Sequence, residues 1–554
     1  MFVAIKKSKT SKRELVYIVE SYRDENQKIK QRIIKKCGEL SELLAEDPDA
    51  IEKLKEHAKK MSLDSASKEV ELAINMNLPN SKAKKALNYG YFFLEAIYDS
   101  LRIDSFIEKN IPDPVFAKTV IQSLRHFVYS EFFLPLSEKD MGRSEVPLFG
   151  APSSASKFKL KNLEPLIPLQ EDLQNHVCKV LSKGKPPKEK VASMEITSYR
   201  FNSTSRRPMI TGLGQKTPNK LIMVHHGLLM DKERNPIGFV LFPEGKNDTP
   251  DLIRKIEAMK KSHGFNKIVI TSDTGYGSNS SLQSIYESGN GYVVGRNIGN
   301  VSAEIQNRIL DDEGYRWNDS GTFKYKSFVA NREIGDCVIP EKIISMWTSY
   351  SAAKALQRRE KDIVDFLAHP NKYDLDSYPE MKRYITVMNG SGGSGAGNQL
   401  FSFDSEAFSK NTMLDGYIAI ATTEIDVPDA VIVRRYHSLS KIGKAFAAPE
   451  SDISSNVTEY WTYKGVQEYF LVAWIAYLLE RRLELLLDGK YPIADIKRAM
   501  RQAACTNIGQ DVFSINVQSD IFKEIEAKFG VSFDKAYATL EMIRKFHKEI
   551  VYKP

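Results

Sequence analysis

Ile268-Val269-Ile270-Thr271-Ser272-Asp273-Thr274-Gly275-Tyr276-Gly277-Ser278 is an apolar run that delivers one acid, Asp273, and then turns on glycines. Gly275 and Gly277 let the backbone bend sharply just past the carboxylate. Upstream, Ser193-Met194-Glu195-Ile196-Thr197-Ser198-Tyr199 alternates with a period of two. That pattern predicts a strand with Glu195 on one face and Met194 and Ile196 on the other.

The segments between these two stretches set the order of elements. Strands are expected over 191–201, 208–213, 220–230 and 236–243, with Asp231 to Asn235 turning between the last two. A helix is expected over 249–262, with Thr249 as its N-cap and Pro250 at its first position. The strand that ends at Asp273 comes next. Several strands, a helix, then a strand carrying an acid predict an α/β fold. The pattern suits an RNase H-like mixed sheet with acids on neighbouring strands.

Length and composition bound the rest. A chain of 554 residues exceeds one ordinary core. Apolar residues make up 42% and charged residues 27%, which suits a folded water-exposed protein. No apolar run reaches the length of a membrane span. The longest candidate, Tyr469 to Leu479, ends on Glu480-Arg481-Arg482 and reads as a buried core helix. No apolar signal core follows the first lysines, so a cytoplasmic location is expected. Cys37, Cys178, Cys337 and Cys505 are scattered, which predicts reduced thiols and neither a zinc site nor a disulfide framework. Net charge is +8, too mild to identify a partner alone. Residues 1–36 hold eleven Lys/Arg against four Asp/Glu, an excess of seven positive charges. That segment is either a solvated basic face or a phosphate-contacting surface.

Five regions follow. Residues 1–82 predict a small β-sheet (strands at 2–5, 15–22 and 29–35, a turn at 24–26) and then helices, with 40–62 as the main one. Residues 83–190 predict a helical region, including an apolar face from Tyr89 to Ile107. Residues 191–280 and 431–490 form the expected core, 281–430 an inserted β-rich and mixed segment, and 491–554 a tail ending in a basic amphipathic helix from Lys535 to Ile550. Helical periodicity is read from Ser438 through Leu487. Residues 389–398 are glycine- and serine-rich. They read as a linker, because the Gly-Lys-Ser/Thr ending of a phosphate loop is missing.

Asp273 is either a metal ligand or a cap of the following helix or turn. Glu195 is either an inward ligand or a surface glutamate. His225 and His226 adjoin on one strand, so their side chains should point to opposite faces and cannot share an ion. Carboxylates converging from adjacent strands suit hard divalent cations, and a pair of such ions drives phosphodiester chemistry.

The chain resembles the insertion-sequence DDE transposases whose third acid lies in a tyrosine-arginine-glutamate-lysine signature. The likeness runs through Val16 to Asn26, Gly90 to Tyr98, Gly227 to Asp231, Pro236 to Phe239, Leu241 to Asp248, and Asp273 to Tyr276. It implies an RNase H-like core, DNA as partner, a homodimer on paired DNA ends, Mg2+ or Mn2+ as cofactor and no organic cofactor. Carried over by position, Glu195 and Asp273 are the implied catalytic residues and metal ligands, with Glu450 or Asp452 as the candidate third. The departures are specific. Glu195 replaces the family's aspartate. In the signature, Tyr436 is kept, while Leu439, Gly443 and Glu450 replace arginine, glutamate and lysine. Glu450 lies two helical turns beyond Gly443, about 10 Å along an axis. Two readings stay open: an enzyme that cuts and joins DNA strands, and a catalytically silent DNA-binding or regulatory descendant. The departures favour the second.

Overall fold

A computed structural model describes the chain except residues 1, 8–13, 24–28, 48, 66–83, 134–146, 151–157, 186–189, 202–221, 244–247, 274–276, 370–380, 389–399, 447–462, 510 and 554. The expected elements at 24–26, 208–213 and 389–398 lie outside the described residues, as do Glu450 and Asp452. The chain divides into two compact units, Met1–Pro79 and Asn80–Pro554.

In the first unit, β1 (Phe2–Lys7), β2 (Glu14–Arg23) and β3 (Ile29–Glu39) form an antiparallel sheet. Register shifts at Val16/Tyr17 and Ile18/Val19 break strict alternation, and Val16, Ile18 and Val19 are all buried. The single helix expected over 40–62 is two, Leu40–Glu46 and Ala50–Ser65. Asp47 separates them. Its carboxylate accepts from the Asp49 amide at 3.0 Å and from Lys53 Nζ at 2.5 Å, so the side chain competes with helical bonding.

The second unit begins with β4 (Leu87–Asn88) and three helices, Tyr91–Ser100, Ile103–Asn110 and Pro114–Phe133. The apolar face expected from Tyr89 to Ile107 is present but broken, because Arg102 takes a left-handed φ of 55° between two helices.

A nine-stranded sheet is the centre of this unit. Its first members are β5 (Val191–Phe201), β6 (Ile222–Met230), β7 (Pro236–Pro243), β8 (Lys267–Ser272) and β9 (Gly291–Arg296). β10 (Arg316–Trp317), β11 (Phe323–Ile334) and β12 (Cys337–Thr348) follow, then a separate hairpin of β13 (Ile385–Met388) and β14 (Leu400–Phe403), then β15 (Tyr417–Thr422). The spatial order is β10-β11-β12-β15-β9-β8-β5-β6-β7. β5 pairs parallel with β8, and β8 with β9; every other pair is antiparallel. Residues 281–430 thus extend the sheet that carries Glu195 and Asp273.

Period-2 alternation gives the sheet two apolar faces. Met194, Ile196, Ile268 and Ile270 pack with Leu252, Ile256 and Ile285 from the helices Asp248–His263 and Asn279–Glu287. The opposite face lies under the helices Asp429–Ala445 and Tyr463–Leu486. Trp474 and Phe470, fully buried, bear out a core helix there. Among the described residues, no helix is long and apolar enough to cross a membrane.

Three boundaries differ from expectation. The helix over the site starts at Asp429, just past Pro428, nine residues before Ser438. The helix after β7 starts at Asp248, and the Thr249 hydroxyl bonds Ser281 Oγ at 2.8 Å in place of a cap. The final helix is Leu540–Glu549. Tyr537–Thr539 is a strand, β18, because it pairs with β17 (Val512–Ile515), which pairs in turn with β16 (Ala504–Gly509). β16 closes on β4, Leu87 opposite Cys505. All four cysteines are free.

Candidate functional site

Register brings the two acids to one face. In β5, Glu195 stands opposite Thr271 of β8 and Leu228 of β6. Asp273 lies two residues past Thr271, so continued alternation returns its side chain to the face that bears Glu195. The helix Asp429–Ala445 crosses this face, packing on β5, β8, β9 and β15. Tyr436 Oη donates to Asp273 Oδ1 at 2.7 Å. Tyr199 Oη, on β5, donates to the carbonyl of Ile442 at 3.3 Å. Gly443 stands over Thr197, whose methyl would be 3.6 Å from a Cβ built at 443.

The acids differ in environment. Asp273 is exposed, and it does not cap the next helix: Ser278 does, accepting from the Ser281 amide at 3.2 Å. Glu195 is 0% exposed, which removes the surface reading. Burial pushes its carboxyl up from the ordinary value, opposed by Arg234, Ser438 and Arg435. By distance Glu195 and Arg234 form an ion pair. By angle, neither carboxylate oxygen accepts an aligned hydrogen bond, and Thr271 Oγ1 beside it is also unsatisfied. The phenol of Tyr436 is held above its ordinary value by burial and then by its bond to Asp273.

The histidines separate as strand geometry requires. His225 Nδ1 meets Ser198 Oγ at 2.7 Å. His226, opposite Thr197, is fully buried against Phe446 and Phe470, with neither ring nitrogen hydrogen-bonded. Desolvation lowers its pKa to about 3, so it stays neutral.

A cavity of about 1290 Å³ opens beside Asp273 and Tyr436. Its wall includes Arg296 and Arg332, which hold the two carboxylate oxygens of Glu341, Oε2 and Oε1 respectively. Arg296 Nη1 donates at 2.6 Å, Arg332 Nε at 2.7 Å and Tyr292 Oη at 2.5 Å. Sequence reading did not single out these residues. Glu341 and Arg332 sit on neighbouring strands, and only the β11–β12 register shows that they meet.

The described residues, as arranged, do not fit a pair of divalent cations. Such ions need carboxylate oxygens converging on open space. Both Glu195 oxygens are buried beside a guanidinium, and Gly443 brings no side chain. Among the described residues, no group of three or more His, Cys, Asp or Glu could hold a metal ion.

Residues 3–69 match the family model of the IS1634 family transposase, N-terminal domain. That match supports a transposase. A solved piggyBac transposase synaptic complex with hairpin DNA aligns over 84% of this chain and 84% of that chain, at 10% identity and a TM-score of 0.31, a likeness too low to define the fold. No curated protein matches.

Proposed function

We propose that the chain is a transposase-derived DNA-binding protein whose strand-cutting centre is not assembled for catalysis. The N-terminal family match supports the ancestry, and the basic excess in residues 1–36 supports phosphate contact. The order β7-β6-β5-β8-β9, with three antiparallel strands followed by two parallel ones, supports an RNase H-like reading of the core. One observation carries the loss of activity. Gly443 stands over the face that bears Glu195 and Asp273, at the position where the resembled family has its third acid, and it has no carboxylate.

The test uses the full-length chain. Duplex DNA affinity should fall steeply as salt rises, because phosphate contacts release counterions. Supercoiled plasmid should stay intact with Mg2+ or Mn2+. Binding that ignores salt would remove the DNA reading. Metal-dependent nicking that vanishes in Asp273→Ala would instead establish a working enzyme, with a third ligand such as Glu450 beyond the described residues.

A further inference from the structure

The turn between β6 and β7 is built to aim one side chain. Asp231 fixes it: its carboxylate accepts from the Asn235 amide at 2.7 Å and from Asn235 Nδ2 at 2.8 Å. The helix Tyr463–Leu486 pins it from above. Trp474 Nε1 donates to the Pro236 carbonyl at 2.9 Å, and Arg481 Nε to the Arg234 carbonyl at 3.3 Å. Arg234 sits within this turn at φ 65°, a left-handed conformation that costs an L-residue energy and that glycine adopts freely. The strain is offset by what the side chain reaches. Its guanidinium meets the buried Glu195 carboxylate, donates to Ser438 Oγ at 2.9 Å from Nη2, and lies 3.5 Å from Ser193 Oγ.

We propose that Arg234 is the resident cation of this centre, closing Glu195 to divalent metal. The guanidinium brings its positive charge to the carboxylate that the reading above would give to a metal ion. It arrives from the hairpin, on the same side as Ser438 of the covering helix. An ammonium or a hydrated ion could not reach both Glu195 oxygens without displacing it, because neither oxygen touches solvent. The comparison with a metal ion rests on the proposed ancestry. The ion pair does not.

The consequence is a chain whose buried acid is neutralised from within. Restoring the family's acids by Glu195→Asp and Gly443→Glu would not suffice while Arg234 remains.

Titration of the full-length protein with Mn2+, followed by calorimetry and by Mn2+ electron paramagnetic resonance, tests this without any activity readout. The native protein should show no Mn2+ site that Glu195→Gln removes. Arg234→Gly suits the left-handed turn and deletes the cation. It should gain Mn2+ affinity at least tenfold, and the double variant Arg234→Gly/Glu195→Gln should lose that gain. A native Mn2+ site abolished by Glu195→Gln would overturn the proposal. So would a folded Arg234→Gly that binds Mn2+ no better than the native chain. If Arg234→Gly is too unstable to titrate, its melting curve carries the answer. Millimolar Mn2+ should raise its midpoint and leave the native midpoint unmoved; no rise overturns the proposal. Salt-dependent DNA binding is measured separately, so its failure would remove the DNA reading and leave the Arg234 result standing.

Discussion

Glu195 and Glu341 are both 0% exposed and both face arginine, yet they are built differently. Glu341 accepts three aligned bonds from Arg296, Arg332 and Tyr292. Glu195 meets one guanidinium and accepts no aligned bond. A carboxylate fully paired in a sheet interior is architecture. A buried carboxylate held by a single ion pair depends on that one partner. The acid that the sequence pointed to rests on one arginine. The acid that it did not point to is held by three donors.

The largest effect that would break this contrast lies at Glu341. Glu341→Leu leaves two mostly buried guanidinium groups without their anion. It should cost about 3–5 kcal/mol, read by denaturant unfolding. A loss under about 1 kcal/mol would show that the cluster holds little together. His226 offers a comparably large effect, but only in acid. Its folded pKa of about 3 lies below the ordinary 6.5, so the unfolded state takes the proton first. Stability is full above about pH 6.5 and drains as pH falls through 3, by up to about 5 kcal/mol at the limit. His226→Phe should flatten that part of the profile and change little at neutral pH. An unchanged acid slope would place the loss elsewhere. Arg234→Met isolates Glu195 and should destabilise by about 2–3 kcal/mol near neutral pH, with most of the loss recovered in Arg234→Met/Glu195→Gln. Simple additivity of the two changes would mean that the pair is not coupled. The smallest effect is at Gly443. A methyl there meets only Thr197 at ordinary contact distance, so Gly443→Ala should stabilise the helix by about 0.5–1 kcal/mol and leave DNA affinity unchanged.

What was legible in the sequence follows from periodicity. Met194 and Ile196 alternate with Glu195, so a strand was readable, and so was the face that the acid would take. The same rule separated His225 from His226. Asp273 was readable as the end of an apolar strand, but its partner Tyr436 is 163 residues away, and that bond depends on how the covering helix crosses the sheet. That helix begins at Asp429, nine residues before the periodicity read from Ser438, with Pro428 at its N-cap. Arg234 gave no signal at all. A charged residue in a turn reads as solvated, and nothing short of its left-handed backbone and the anchors from Trp474 and Arg481 directs it inward. The Glu341 cluster was hidden for a related reason: cross-strand partners are set by register, which a single sequence does not print.

The closure of β4 on β16 has a bearing on how the chain is made. Asn88 donates through Nδ2 to the carbonyl of Met500 at 2.8 Å, and Tyr89 lies edge-on to Phe522 and Phe533. These partners are more than 400 residues apart, and translation delivers them tens of seconds apart at ordinary elongation rates of about 5–20 residues per second. Through that interval Phe93, which packs edge-on to Phe522 and Phe529, lacks that cover, while Tyr91, Phe92 and Tyr98 already have Tyr129 and Phe149. A nascent chain stalled before residue 500 should therefore be a ready client for a holdase, and should lose that affinity once β16 to β18 emerge.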